Sequence, residues 1–231
     1  IIKSLAVFLV FAVLIGYFAT EFNQALLWPL HTVAKNFPDI TTKLGTLSPM
    51  EVFNMLIQLC VFGALFLAGP FILFFIGQFV APALTEREMK AVLPMCFSAM
   101  VLFVLGAAFS FFLLMPSAIR VAIELNNAFD LETRWTAGNY YSTLTWLVLG
   151  AGAVFEFPLV LILLVWLGII TTAFLRKYRR HAIVVIFVIS AIVTPTPDPF
   201  TQTLFAVPLY ALYEISILVS TRVEKRRAKV V

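Results

Sequence analysis

Long apolar runs alternate along this chain with short polar and charged segments. A hydrocarbon core about 30 Å thick takes about 20 helical residues to cross, so the uncharged runs predict spans. Residues 4–20 form the first, ended by Glu21. Residues 22–50 mix polar groups with Pro29, Pro38, Asp39 and Gly45, and read as an extramembrane loop with room for a short helix. Residues 52–85 carry no charge, which is more than one crossing uses. The second span is placed at 56–80, with the surplus at an interface or taken up by tilt. The third covers 91–115 and is closed by Pro116, ahead of a polar loop at 120–134 holding Arg120, Glu124, Asp130, Glu132 and Arg134. The fourth runs over 144–170 with Glu156 inside it. Past the basic group at 176–180 come a fifth span at 182–194 and a sixth at 203–219, the latter including Glu214.

The fifth span has about 13 to 16 helical residues, or roughly 20–24 Å at 1.5 Å per residue. Two short neighbouring helices predict local thinning of the bilayer. The expected fold is all-α: a polytopic membrane protein of six transmembrane helices, the last two short, forming one integral membrane domain over residues 1–231.

Composition agrees with that pattern. Of 231 residues, 62% are hydrophobic and 12% charged, with a mean hydropathy of +1.02. A soluble domain carries about 25% charge, so a surface this apolar is stable only against lipid. With the N-terminus inside, the cytoplasmic segments hold twelve Lys and Arg and the outer segments four, which places both termini in the cytoplasm. The first residue is Ile1 rather than Met, and a preceding N-terminal segment is expected.

Several function classes drop out. Cys60 and Cys96 both lie inside apolar runs, and His31 and His181 stand alone near opposite surfaces, so neither a disulfide framework nor a metal site is indicated. The basic groups at 176–180 and 222–229 read as positive-inside anchors, and there is no folded polar domain to present a nucleic-acid-binding face. No HExxH, GxSxG or phosphate-binding glycine loop occurs. Neither enzymatic chemistry nor a cofactor is expected, and any energy source must be external.

Polar groups inside the apolar runs narrow the choice. A carboxylate at mid-bilayer costs roughly 2.5–3.5 kcal/mol, so Glu156 needs a polar cavity, a partner or a hydrogen-bonded neutral form. Pro158, two residues on, favours a bend there. Asp198, in the turn Thr194-Pro195-Thr196-Pro197-Asp198-Pro199-Phe200-Thr201-Gln202, either caps the next helix or takes part in an interaction. Thr201 and Gln202 then open span six as exposed polar groups available to another helix in the membrane. Glu214, about two turns before Arg222, suits a salt bridge near the inner interface. Glu86 and Glu88, in the short loop Thr85-Glu86-Arg87-Glu88-Met89-Lys90, read on their own as solvated, locally paired charges. On their own, Glu156, Asp198 and Glu214 also admit a proton-coupled small-molecule transporter, although the unequal spans lack the repeated halves such proteins usually have.

Four separated motifs resemble one family. Ser48-Pro49 matches the start of its second span, and Phe79-Val80-Ala81-Pro82-Ala83-Leu84 with Glu88 is similar to its first cytoplasmic loop. Phe155-Glu156-Phe157-Pro158 resembles its mid-membrane glutamate motif. Asp198, Phe200, Gln202, Thr203 and Pro208, then Leu209-Tyr210 and Tyr213-Glu214-Ile215, resemble its last turn and span. The family is TatC, the signal-peptide receptor of the twin-arginine protein translocase.

The resemblance implies a concave, glove-like bundle in a bacterial cytoplasmic (inner) membrane, working in a multimeric complex. It implies binding of twin-arginine signal peptides of folded cargo, recruitment of the single-span proteins TatA and TatB, and transport driven by the proton-motive force. Glu88 would receive the arginine pair, whose planar donors suit a carboxylate, with Phe79 packing beside the bound peptide. Glu156 would sit in the concavity, and Asp198, Thr201 and Gln202 would meet partner helices. The family's N-terminal cytoplasmic helix, with a further acidic residue of the signal site, is expected in the segment before Ile1, and the 194–198 turn is one residue longer than the family's usual form.

Overall fold

The first apolar run forms helix α1, Ile2–Tyr17. The computed structural model describes residues 2–37, 41–80, 86–195 and 198–228, and their side chains apart from residues 73, 76–80, 86–92 and 225–228. Beyond α1 the chain turns through 87° and continues as α2, Ala19–Leu26, and α3, Trp28–Ala34. Much of the segment expected as loop is therefore helical. Pro29 sits in the first turn of α3, where its missing N–H costs no helical hydrogen bond.

Helix α4, Pro49–Val80, is 32 residues long, about 48 Å at 1.5 Å per residue. The start of its charge-free run, at residues 52–55, is thus part of the helix. Helix α5, Glu86–Phe109, passes through a π-helical turn, Ser110–Leu114, into α6, Met115–Ala128. Pro116 does not close this helix as expected. Proline lacks an N–H and clashes with the carbonyl four residues back, and the widened turn lies where that conflict would arise. The chain then stays helical to Ala128, and the polar loop shrinks to residues 129–136, with Asp130 in the left-handed region at φ 58°.

Helix α7, Ala137–Val154, starts at a Thr136 cap whose Oγ1 accepts the Asn139 N–H at 3.3 Å. A two-residue break leads to α8, Phe157–Trp166, and a short α9, Thr172–Lys177, turns the chain into α10, Arg179–Val193. At 15 residues α10 measures about 22 Å, less than the hydrocarbon core. Helix α11, Pro199–Ala228, has 30 residues, but its uncharged stretch before Glu214 is only residues 199–213.

Two apolar cores organise the packing. One gathers α1–α4, α6 and α7 around Leu30, Leu59, Ile119, Tyr140, Tyr141 and Leu144. The other joins α7, α8, α10 and α11 around Leu147, Phe155, Phe205, Leu209 and Ile217. Helix α7 belongs to both and is the spine of the molecule. The outward face stays apolar, with Val13, Ile57, Phe97, Val184 and Val207 all exposed, as a lipid-facing surface requires.

Glycines set the closest approaches. A Cβ on Gly69 or Gly152 would lie 2.9 Å from the Phe103 ring, so α4 and α7 both close on that ring of α5. Two tyrosines fix α2 to α7. The Tyr140 hydroxyl donates to the Leu26 carbonyl at 2.8 Å, and that of Tyr141 donates to Asn23 Oδ1.

Candidate functional site

Glu156 lies in the break between α7 and α8, ten residues before Trp166. The turn forms because Phe155 and Glu156 still bond backward, to Ala151 O at 2.9 Å and Ala153 O at 3.1 Å, while Pro158 can make no such bond. The Glu156 carbonyl then accepts from Leu159 and Val160 at 3.0 and 3.2 Å, which starts α8.

Its neighbour Phe155 is the anchor. Buried at 6% exposure, Phe155 stacks on Phe205 of α11 with centroids 6.2 Å apart and meets the tilted ring of Phe109 of α5 at 5.9 Å. Gly106 makes room for it, since a Cβ there would stand 2.6 Å from Phe155 Cγ. One helical turn on, Ser110 is wholly buried and donates to the Leu147 carbonyl at 2.9 Å. With Phe155 locked inward, the next residue carries its carboxyl to the half-buried side, against the backbone at Phe103. Glu156 Oε1 is buried and has no hydrogen-bond partner. An unsatisfied buried oxygen costs about 1–3 kcal/mol, a cost this turn carries at Oε1.

Asp198 is a helix cap. Its Oδ2 accepts the Thr201 N–H at 2.7 Å and its Oδ1 the Thr201 hydroxyl, satisfying the start of α11 as an N-cap does. Thr201 is 1% exposed, which corrects its expected place on the helix surface: its hydroxyl is used within the turn. The Gln202 amide donates to the Phe187 carbonyl of α10 at 2.9 Å, tying the two last helices together. Glu214 accepts from Arg179 Nη2 at 2.8 Å and from the Tyr210 hydroxyl at 3.1 Å. The three acids of the transporter reading are therefore not gathered into a relay. Asp198 and Glu214 are 16 residues apart, about 24 Å along α11, each with its own partners.

Phe79 lies in the last turn of α4 and Glu88 in the first turn of α5. Their side chains fall outside those described. Sequence reasoning passed over Ser110, Phe155 as an anchor and Glu51. Only Glu51 left a signal, the Ser48-Pro49-Met50-Glu51 spacing of a capping box.

Four helical stretches, Pro49–Ile72, Leu93–Ala128, Ala137–Trp166 and Pro199–Glu224, are each long and apolar enough to cross a membrane, and α1 with the bent α2–α3 pair adds a fifth candidate. Together with the short α10 they make a six-helix, multi-pass membrane protein. The family model described as Sec-independent protein translocase protein (TatC) matches residues 1–208. The Aquifex aeolicus protein of that description is 34% identical over 231 residues, covering all of this chain and 93% of the relative. Its Escherichia coli counterpart is 34% identical over 217 residues, covering 94% and 81%. A crystal structure described as the twin-arginine translocase receptor TatC superposes with a TM-score of 0.76 at 35% identity, covering 96% of this chain and 95% of that one. The chain belongs to the TatC family, a component of the Sec-independent protein translocase and not an enzyme.

Proposed function

We propose that this protein is the receptor of a twin-arginine translocation complex. It binds the signal peptides of folded cargo at the end where α4 gives way to α5, and recruits single-span partners of the TatA and TatB kind along the face that carries Glu156. It sits in a bacterial inner membrane with both termini in the cytoplasm, in a multimeric assembly, and the proton-motive force drives export. The twelve-to-four bias of basic residues supports the orientation.

The observation that carries this reading is the unpartnered buried oxygen of Glu156 at the α7–α8 break. An incoming helix that brings a polar donor to that depth satisfies both itself and the carboxyl, and so gains a hydrogen bond it cannot find in lipid. The signal peptide's arginine pair is assigned to Glu88, with Phe79 beside it, because paired guanidinium groups and a carboxylate at a helix start are complementary in charge and shape. Gln202 and the Asp198 turn border the α10–α11 side of the partner face.

A photocrosslinker at Val160, which is 46% exposed one turn beyond Glu156, tests the assignment. Single-span partners are expected to crosslink there in the unmodified protein, more weakly with Glu156→Gln, and hardly at all with Glu156→Leu. Full crosslinking in Glu156→Leu would remove Glu156 from partner recruitment.

A further inference from the structure

The corner between α9 and α10 carries Arg176, Lys177, Arg179 and Arg180, and the chain has no acidic residue from 157 to 197. The simplest account is a set of positive-inside charges that also oppose the dipole at the end of α9. The geometry goes further, because the corner is fixed.

Three ties hold α9 to α11. Glu224 accepts the Thr172 hydroxyl, the Tyr213 hydroxyl donates to the Leu175 carbonyl at 2.8 Å, and Arg176 Nη2 donates to Thr221 Oγ1 at 3.1 Å. Leu175 is buried at 4% exposure beneath them. Arg179 is neutralised by Glu214 at 2.8 Å, and Glu224 stands at the opposite end of α9 from Lys177. Among the described residues, Lys177 and Arg180 have no carboxylate partner, and Arg176 has only a neutral hydroxyl.

A row of rings lies beside these free charges. Phe174 and Tyr178 are 4.4 Å apart between centroids, and His181 continues the row 5.2 Å from Tyr178. Phe174 is 48% exposed and Tyr178 37%, and Lys177 Nζ lies 5.8 Å from the Tyr178 ring centroid. Exposed aromatic faces next to cations, at the boundary between a basic corner and the apolar α10, match the chemistry of a lipid's polar–apolar junction.

We propose that this corner is a headgroup site for an anionic phospholipid. Its phosphate meets Lys177 and Arg180, and its glycerol end and first methylenes lie over Phe174 and Tyr178. Which leaflet supplies the lipid rests on the orientation proposed above; the site itself does not.

The test is a thermal melt of the purified protein in an uncharged detergent, titrated with phosphatidylglycerol or with phosphatidylcholine. Phosphatidylglycerol should raise the midpoint at concentrations where phosphatidylcholine does not. Lys177→Gln and Arg180→Gln should each weaken the apparent lipid affinity about fivefold, in line with the attraction of one basic residue to an anionic surface. Both positions are exposed, so the lipid-free midpoint should hold. The charge-conserving pair Lys177→Arg and Arg180→Lys should keep the response. Equal protection by phosphatidylcholine, or an undiminished response in the double glutamine variant, would overturn the site. Equal protection by glycerol phosphate or by an acidic peptide would overturn its assignment to a lipid. None of these outcomes depends on Glu156, so partner crosslinking can fail or succeed separately.

Discussion

Glu51 Oε1 accepts the Gly138 N–H at 2.9 Å, joining the first turn of α4 to the first turn of α7 across 87 residues of chain. Its other oxygen accepts the Leu47 N–H. The Ser48-Pro49-Met50-Glu51 sequence has the spacing of a capping box, with proline at the first helical position where it is best tolerated. Here the glutamate reaches beyond its own helix and fastens a second one. Glu51→Ala should lower the melting midpoint in detergent, and Glu51→Gln, which keeps one acceptor, should lower it less. Gly138→Ala should act through the same contact, since its Cβ would stand 2.9 Å from that carboxylate oxygen. An unchanged midpoint in all three would mean that the bond contributes nothing.

Gly106 tests how tightly Phe155 is held. A Cβ there meets the Ala151 carbonyl at 2.8 Å as well as the Phe155 ring, and a helix backbone cannot move aside as a flexible side chain can. Gly106→Ala should cost about 1–3 kcal/mol, as overpacking does. Gly150→Ala serves as the comparison, because its Cβ would only make ordinary contact with Val193 at 3.5 Å. That change should be neutral or slightly stabilising, since alanine favours helix by up to ~1 kcal/mol over glycine. Denaturant unfolding in mixed micelles separates the two, and equal effects would contradict the packing described for α5 and α7.

Asp198 and Thr201 form one unit. Replacing the cap in Asp198→Ala should cost about 1 kcal/mol, whereas Asp198→Asn, itself a good cap, should cost less. Because the Thr201 hydroxyl is spent on Asp198, Thr201→Val and Asp198→Ala should not add. A double-mutant cycle should return a coupling of about 0.5 kcal/mol or more. Simple additivity would show that the two side chains act independently.

Much of this was legible in the sequence because lipid imposes a coarse rule. Charge-free runs of sufficient length mark spans, and Glu156 stands out because carboxylates inside such runs are costly. The same coarseness hid what lies outside the rule. Residues 22–34 carry no Asp, Glu, Lys or Arg, but at 13 residues the run is too short for a span and it holds Asn23, Gln24, Pro29 and His31, so it does not announce α2 and α3. Helix α2 is held by Tyr140 and Tyr141, more than a hundred residues away. Pro116 looked like a terminator because a regular helix cannot absorb it, and the π-helical turn that does so has no sequence signal of its own. Thr201 looked like a surface group because its position in span six says nothing of the turn that folds it inward. The placement of Glu156 depends on the anchoring of Phe155 between Phe109 and Phe205, a contact among three distant segments.

The most direct measurement is photocrosslinking of a twin-arginine precursor to the protein in its assembled complex, with the probe next to the precursor's arginine pair. The expected result is a crosslink that requires the pair and that falls about tenfold or more with Glu88→Ala, since hydrogen bonds to charged groups contribute about 1.5–3 kcal/mol. The crosslink should also survive Glu156→Gln, because Glu156 is proposed to meet partner helices rather than the arginine pair. A crosslink of full strength in Glu88→Ala, or one indifferent to the arginine pair, would contradict the signal-receptor assignment.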